Sequence, residues 1–520
     1  MNSTKQKNSR RWLALTALCI AVFMSLLDST IVNVALPTIQ QELKVSYAEL
    51  QWVMNAYTLA FAMCLLLASK FGDLFGRKRI FLITLSIFTL GSLGSSMSQT
   101  ALFLNVFRMI QGIGGAGMMS LSMTIVTETF DDNERGLAFG VWSSVVGVAT
   151  ALGPVIGGYL IKIFTWRSIF YINLPIGIIA LLMAYKFVDE SYGNKEEKID
   201  WWGMIISTVM IFCLVFGLVQ KETHINWTWM NSQVISYFII GIVLVIVFII
   251  LEKRIKEPMI NLEIFKSWSF NGTAIASFCL GAGLYAFFTY MTIWMQSYLR
   301  YTPEQTGIRQ LAIGLMSLII GPIAGILSNR LAKRWLIGGG LIIIALGLFE
   351  IQRVVSLQVT YLDYVSGFII IGIGNAIVNP PLSAAAMESV DPNLIGIASG
   401  VVNVFRQLGS TFGIVILGLV LSNGYQNGLN RYVGDLALAK STKSGIINEL
   451  ISAGPTGSEG VLRSAWSNLQ QLDGGSGLFA SLKAGVWSGF DVGYVLVIGV
   501  SIFICLFGAV VALVSIRDRR

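Results

Sequence analysis

The stretch SKFGDLFGRK at residues 69–78 has a counterpart in GILSNRLAKR at residues 325–334. Both begin with a small residue, carry Asp or Asn four positions later and Gly or Ala three positions after that, and end on two basic residues. Each stretch follows one long apolar run and precedes another. The repeat predicts a chain of two related halves, each with this turn at the same place.

The composition is that of a membrane protein. Of 520 residues, 55% are hydrophobic and only 12% are charged, whereas soluble domains carry about 25% charged residues. The mean hydropathy is +0.71, and the apolar runs reach the length of about 20 residues needed to cross a bilayer. A soluble fold is therefore excluded. The five cysteines lie in these runs at no metal or disulfide spacing, so we expect no metal and no cofactor.

Fourteen apolar runs are predicted to cross the membrane as helices, which makes the protein all-α. They cover residues 12–35, 50–68, 80–98, 102–126, 137–161, 167–187, 201–219, 233–251, 269–297, 307–327, 335–352, 362–382, 397–421 and 492–515.

The distribution of basic residues orients these runs. If both termini are cytoplasmic, most of the 36 Lys and Arg residues fall on the inner side, as the positive-inside rule requires. The net charge of +8 then reflects membrane topology, and no nucleic-acid partner is expected. The sequence thus predicts a multi-pass protein of the cell membrane with both termini in the cytoplasm.

The repeat divides the fourteen runs into six, two and six. We expect a six-helix bundle in residues 1–187, two additional membrane helices with linkers in 188–268, and a second six-helix bundle in 269–520. Two six-helix halves in a parallel repeat form a known transporter architecture that binds its substrate near the midplane. Residues 423–490 are predicted to be an extracellular loop with short amphipathic helices that caps the outer face.

Four stretches are distinctive: LDSTIVNVALP at 27–37, GDLFGRKR at 72–79, RMIQGIGGAG at 108–117 and GVATALGPVIGG at 147–158. They resemble the signature regions of the drug:proton antiporters with fourteen spanning helices in the major facilitator superfamily. The resemblance covers nearly the whole chain except the loop at 423–490. It implies the major facilitator fold and a transporter of small lipophilic, in some cases cationic, compounds that uses the proton gradient; we expect a bacterial protein that acts as a monomer.

Asp28 interrupts the first apolar run, where an ionisable side chain is costly and seldom lacks a function. The rise of a helix places it in the outer half of the hydrocarbon layer, at a depth similar to Arg108 and Asn55. Burial favours the neutral acid and a nearby arginine favours the carboxylate, so a motion that changes either would load or release a proton. We predict that Asp28 and Arg108 couple transport to protons. A permanent structural ion pair is the alternative, and Glu350 and Glu128 are weaker candidates for the carrier.

The turn at 69–78 is predicted to act as a latch on the inner side. Gly76 permits a tight backbone turn, and Asp73 can accept hydrogen bonds beside the basic Arg77. The resemblance implies that Asp73, Gly76 and Arg77 steady the cytoplasmic gate in the outward-open state. A basic loop that only sets the topology is the alternative.

The fifth run predicts close helix packing and a bend. Its small residues let a neighbouring helix approach, and its proline frees a backbone carbonyl. The resemblance implies a role in antiport, and ordinary packing is the alternative. We assign gating to five residues of this run and to the costly buried arginine of the thirteenth run: Gly147, Gly153, Pro154, Gly157, Gly158 and Arg406.

The candidate substrate surface is aromatic and polar. Aromatic and thioether side chains form adaptable walls that suit lipophilic compounds, although such side chains also face lipid or pack within bundles. The candidate lining residues are Asn55, Tyr57, Tyr285, Tyr290, Trp294, Met316 and Asn379.

The predicted function is a secondary antiporter, not an enzyme, that exports hydrophobic drugs or toxic compounds in exchange for protons. The chain has no phosphate-binding GxxxxGK[ST] motif, so a pump driven directly by ATP is not expected. Two alternatives remain: a proton-coupled importer of a small nutrient on the same fold, and a membrane sensor that does not transport. The Gly-Pro pair of the fifth run favours antiport, and intact Asp28 and Asp73 favour a working transporter.

Overall fold

The computed structural model describes residues 2–44, 47–193, 200–223, 227–255, 258–356, 358–433, 445–451, 462 and 475–517. Within these ranges the chain consists of helices joined by short turns, and no strand occurs. The prediction of an all-α protein is confirmed.

The first half of the chain forms six spanning segments. The sixth consists of a single helical turn followed by a regular helix. The helices are α1 (Asn2–Leu43), α2 (Tyr47–Phe75), α3 (Arg77–Ser96), α4 (Ala101–Thr129), α5 (Asp132–Ile163), α6 (Ser168–Tyr171) and α7 (Asn173–Phe187).

Two helices follow the first half, and the second half begins with an irregular segment. Its helices α10 and α11 are each followed by a π-helical turn, Gly281–Tyr285 and Trp294–Tyr298. Such turns are rare and frequently occur at functional sites. The helices are α8 (Trp201–Thr223), α9 (Ser232–Glu252), α10 (Trp268–Leu280), α11 (Ala286–Ile293), α12 (Pro303–Ser328), α13 (Lys333–Val354), α14 (Tyr361–Glu388), α15 (Ile395–Tyr432), α16 (445–451) and α17 (Gly475–Ser515).

Among the described residues, thirteen segments are long and apolar enough to cross a bilayer, and the bent α5 makes a fourteenth. The predicted number of spans is confirmed. Helix α15 continues to Tyr432 and α17 begins at Gly475, so the predicted outer loop, 423–490, includes the ends of both helices. Hydropathy marks where a helix leaves the hydrocarbon. These two helices continue beyond that point because glycines such as Gly424 and Gly493 bring their backbones together.

One predicted amphipathic helix of this loop is present, since residues 445–451 are helical. The other stretch, 459–472, lies outside the described residues except for Leu462.

Helix α8 packs against α2 of the first half and α15 of the second, so it covers one side of the boundary between the halves. Helix α9 packs on α8 and leaves most of its residues exposed. In a bilayer these side chains face lipid. The additional pair therefore lies beside the two bundles, where α8 contacts a helix of each.

Helices α5 and α12 form the most extensive contact between the halves. A Cβ atom at Gly140 would lie 2.5 Å from the carbonyl oxygen of Gly321, and Gly136 and Gly325 face each other just as closely. Further along, a Cβ atom at Gly307 would lie 2.6 Å from the backbone nitrogen of Val155. The two backbones thus touch without intervening side chains, as small residues allow in membrane helices.

The gap between the halves is closed at the face where both chain termini lie, which we call the terminal face. There Ser399 of α15 donates a hydrogen bond of 3.1 Å to the carbonyl of Ser120 in α4. Gly400 lies against Ser69 of α2. Farther along, glycines of α15 such as Gly409 face the helices of its own half. These contacts between the halves therefore lie near the start of α15, at the terminal face.

Candidate functional site

Asp28 is fully buried in α1, and both of its carboxylate oxygens are engaged. Oδ2 forms an ion pair with Nη1 of Arg108, which is also fully buried. Oδ1 accepts hydrogen bonds of 3.1 Å from Nε2 of Gln111 and 2.9 Å from Nδ2 of Asn173. Helices α1, α4 and α7 thus converge on one carboxylate, which receives a positive charge and two amide donors.

A serine on α3 orients the two amides. Ser92 Oγ accepts hydrogen bonds of 2.6 Å from Gln111 and 3.0 Å from Asn173. Ser95 Oγ donates to Oε1 of Gln111 at 3.0 Å, which fixes the direction of that amide. Both amides are therefore held with their N–H groups toward the carboxylate.

Arg108 is also held by groups other than Asp28. Its Nε donates to the carbonyl of Val53 at 3.1 Å, and its guanidinium carbon lies 4.4 Å from the centre of the Tyr57 ring. The Tyr57 hydroxyl is 3.0 Å from Ser25 Oγ. Nη2 of Arg108 is buried and has no hydrogen-bond partner among the described residues. Arg108 is therefore held by contacts that do not involve Asp28.

The structure brings together Asp28 and Arg108, as the depth estimate from the sequence predicts. Asn55 is partly exposed and makes none of the hydrogen bonds to Asp28 found in the described part of the chain. Gln111 and Asn173 take that place instead, and the sequence reasoning missed both. Gln111 stands one helical turn after Arg108, a spacing that could have revealed it.

The turn at 69–78 forms a charged cluster at the terminal face. Asp73 Oδ1 accepts hydrogen bonds from Nε of Arg77 at 2.9 Å and Nη2 at 2.8 Å. Nη1 of Arg77 pairs with Oε1 of Glu128 at 3.0 Å. The Asp73 carboxylate lies directly against Gly396, at the start of α15 in the other half. Asp73 therefore stands between its own arginine and the positive end of a helix dipole across the gap.

The start of α3 is capped by an acid that sequence reasoning missed. Glu190 accepts hydrogen bonds from the backbone nitrogens of Lys78 at 2.9 Å and Arg79 at 3.2 Å. Gly76 has φ 104°, and a Cβ atom there would lie 2.7 Å from the Glu190 carboxyl carbon. Only glycine suits this backbone conformation and this close approach.

We expect Asp73→Asn to lower the transport rate about tenfold and to leave stability nearly unchanged. Asparagine can still accept a hydrogen bond from Arg77, but it lacks the charge that attracts the start of α15. Initial transport rates of purified, reconstituted protein measure the effect. The matched control is Asp189→Asn, which removes an acid with 79% side-chain exposure that pairs with Arg10 at 2.7 Å. An unchanged transport rate for Asp73→Asn would contradict the prediction that this turn acts as a latch.

The glycines of α5 face two different helices. Gly147 faces Ser317 of α12 in the other half, and Gly158 also faces α12. Gly153 and Gly157 face α1, where they lie against residues within one turn of Asp28. The helix bends by 42° between Ala149 and Leu152. Pro154, one turn further on, cannot donate a hydrogen bond back across this point.

A second polar cluster lies on the other side of the gap. Arg406 Nη2 donates a hydrogen bond to Oδ1 of Asn403. The Tyr285 hydroxyl donates to Oδ1 of Asn379 at 3.2 Å, and Nδ2 of Asn379 donates to the Asn375 carbonyl at 2.9 Å. Helices α14 and α15 and the first π turn thus bring together three of the predicted residues, Tyr285, Asn379 and Arg406.

The other predicted lining residues have different surroundings. Trp294 is fully buried in the second half, where its ring stacks 5.3 Å from Tyr494. Tyr290 is buried and donates a hydrogen bond of 2.5 Å to the carbonyl of Ile414. Tyr57 lies under Arg108, and Met316 packs near Gly372 where α12 meets α14. Packing within each half thus engages Tyr57, Tyr290 and Trp294, and a substrate-binding role for the lining residues stays a prediction.

The comparisons with known proteins give one family. Residues 18–414 match the family model described as Major Facilitator Superfamily. The chain is 33% identical over 418 residues to the multidrug resistance protein Stp of Mycobacterium tuberculosis, covering 80% of this chain and 76% of that protein. It is 29% identical over 418 residues to the tetracenomycin C resistance and export protein of Streptomyces glaucescens, with the same coverage.

The fold is also found in solved structures. The proton:xylose symporter XylE superposes with a TM-score of 0.59 over 81% of this chain and 90% of that chain, at 12% identity. This likeness establishes the fold and carries no information on the substrate.

Proposed function

The chain belongs to the major facilitator superfamily, and from this premise we propose that it exports lipophilic drugs or toxic compounds from the cell in exchange for protons. Two observations support export. Its relatives include proteins named for multidrug resistance and for resistance and export. The inter-half helix α5 carries the glycines and the bend that the resemblance to antiporters implies.

The main observation in support of proton coupling is the buried ion pair between Asp28 and Arg108. A buried ion pair contributes little to the stability of a fold, because the cost of removing both charges from water offsets much of their mutual attraction. Ionisable groups in spanning segments commonly serve proton or substrate pathways instead. Protonation of Asp28 would remove one charge of the pair and leave Arg108 to its own tethers at Val53 and Tyr57. The site thus has two states that differ by one proton.

A chain of contacts links this proton site to the boundary between the halves. Thr30 and Ile31, within one turn of Asp28 on α1, lie against Gly153 and Gly157 of α5. Helix α5 in turn has its backbone against α12 of the other half. A small shift of α1 on protonation would therefore reach the helix about which the halves move. This route supplies the physical coupling that antiport requires.

We further propose that the terminal face is cytoplasmic, as the distribution of basic residues predicts. The gap, closed at that face, then opens outward. In this conformation an exporter releases its substrate and admits a proton from outside. The latch around Asp73 would hold the cytoplasmic side shut during that step.

The proposal is tested by a vesicle assay in which the direction of the pH change inside the vesicles distinguishes the candidate functions. Purified protein is reconstituted in liposomes that contain a pH-sensitive dye, with equal pH inside and outside, and a panel of lipophilic antibiotics and dyes is added outside. Antiport makes the lumen more alkaline, because protons leave as the compound enters. A proton-coupled importer makes it more acidic, and a sensor changes nothing. Either of the last two results, with protein-free liposomes as the control, overturns the proposal.

A further inference from the structure

Arg406 is a buried cation without an acidic partner in the described part of the chain. Its residue exposure is 9%, and its Nη2 donates to the neutral side chain of Asn403. No carboxylate of the described residues forms an ion pair with it. Buried charges in proteins are normally paired, because an unpaired charge bears the full cost of desolvation. The arrangement therefore lacks one negative charge.

The position of Arg406 explains where that charge can come from. On α15, Ser399, Gly400 and Asn403 face the first half across the gap, and Asn403 makes a contact of 3.3 Å with Met123 Sδ of α4. Arg406 follows Asn403 by three residues on the same face of the helix. It lies roughly 16 Å along α15 from Ile395, near the midplane of a layer about 30 Å thick. Arg406 thus lies about one helical turn beyond the contacts that close the terminal face, on the side of α15 that faces the first half.

The groups around Arg406 add hydrogen-bonding capacity but no negative charge. Tyr285 is close enough to interact with Arg406 electrostatically and donates its hydroxyl proton to Asn379. The π turn that carries Tyr285 approaches α15 through Gly281, where a Cβ atom would lie 2.9 Å from the backbone nitrogen of Ser410. Phe288 lies beside Tyr285, with ring centres 6.1 Å apart. A cation and aromatic rings, which suit a charged head group and an apolar body, therefore lie side by side.

The buried arginines of the two halves differ in whether they have an acidic partner. Arg108 in the first half has Asp28 as its partner within the protein. Among the described residues, the polar groups that interact with Arg406 in the second half are the amide of Asn403 and the phenol of Tyr285. We propose that Arg406 is an anion-binding subsite of the central gap, and that the transported compound presents a carboxylate or a similar acidic oxygen group to it. The proposal deepens the proposed function and rests on it, and it replaces the gating role that the sequence predicts for Arg406.

The test measures binding and needs no proton gradient. Wild-type protein in lipid nanodiscs is examined by equilibrium dialysis with three probes that share one apolar body: pyrenebutyrate, pyrenebutanol and pyrenebutyl-trimethylammonium. Empty nanodiscs give the partition into lipid, which is subtracted. We expect pyrenebutyrate to bind at least about tenfold more tightly than pyrenebutanol, the gain typical of a charged hydrogen bond. Arg406→Gln should abolish this preference and change the affinity for pyrenebutanol less than about twofold.

The controls separate an anion site from a structural role. Arg406→Lys keeps the charge and should retain part of the preference. Arg353→Gln removes an exposed arginine, paired with Glu350 at 3.5 Å, and should have no effect. Equal weakening of all three probes by Arg406→Gln, or no preference for pyrenebutyrate in the wild type, overturns the proposal. A failure of proton coupling would appear in the vesicle assay and leave this binding preference intact, so the two proposals fail separately.

Discussion

Asp28→Asn is expected to abolish transport against a concentration gradient driven by a pH difference. Asparagine keeps the size of the side chain and can accept the hydrogen bonds of Gln111 and Asn173 through its oxygen. It cannot bind and release a proton. Accumulation of substrate in acid-loaded vesicles should therefore fall to the level of protein-free liposomes, while downhill exchange of substrate across the membrane persists.

The single variant leaves Arg108 buried without its counter-charge. Breaking a buried ion pair in this way typically costs about 3–5 kcal/mol, so a loss of transport could reflect unfolding. The double variant Asp28→Asn with Arg108→Met removes both charges and avoids that cost. We expect it to be stable, to bind a neutral lipophilic substrate, and to lack proton coupling. Thermal unfolding and substrate binding in nanodiscs measure the first two properties.

The control for this experiment is another acid in a spanning helix. Glu350 of α13 has 42% side-chain exposure and pairs with Arg353 at 3.5 Å. Glu350→Gln should leave coupled transport within about twofold of wild type, because exposed ion pairs contribute little. If the Asp28 variants still concentrate substrate with normal coupling and the Glu350 variant does not, the proton carrier is Glu350 and the proposed coupling site is wrong.

The same geometry revises an expectation about cationic substrates. A free carboxylate in the gap would attract cations, but both oxygens of Asp28 are occupied by Arg108, Gln111 and Asn173. A cationic compound would have to displace Arg108 to reach it. The protein therefore supplies its own counter-charge to Asp28, and the charge that our anion-site proposal assigns to substrate binding is the positive one at Arg406.

The fold could be predicted from the sequence because each pattern that indicates it is built up from many residues. Apolar runs of spanning length, the repeated turn and the distribution of basic residues each come from many residues. The depth of Asp28 and Arg108 followed from the helical rise alone, and the structure brings these residues together. Pro154 similarly indicated the bend in α5.

The remaining parts of the site depend on contacts that hydropathy does not encode. Glu190 caps α3 from a segment more than one hundred residues away, and Asn173 reaches Asp28 from α7. Trp294 looks like a lining residue by type, yet helix rotation buries it against Tyr494. In the turn at 69–78, Ser69 lies directly opposite Gly400 of α15, which lets the two helices meet closely.

Gly140→Leu is expected to abolish transport by separating α5 from α12. At this position even a methyl group would lie 2.5 Å from the Gly321 carbonyl oxygen and 2.8 Å from Cα of Pro322. These are backbone atoms that cannot rotate away, unlike the end of a flexible side chain. The halves must therefore move apart along the contact on which the proposed proton coupling depends. We expect the transport rate to fall more than about tenfold, with overpacking that costs about 1–3 kcal/mol of stability.

The matched control is Gly339→Leu on α13, where a Cβ atom would have no atom within 4 Å. It adds the same side chain to a spanning helix without a clash and should transport within about twofold of wild type, because isolated apolar additions at open positions are tolerated. Smaller residues provide a graded comparison, since Gly140→Ala should impair transport less than Gly140→Leu. Full activity of Gly140→Leu would show that α5 and α12 can separate without loss of function. The coupling route from Asp28 through α5 to the other half would then have to be abandoned, even if Asp28 remained the proton carrier.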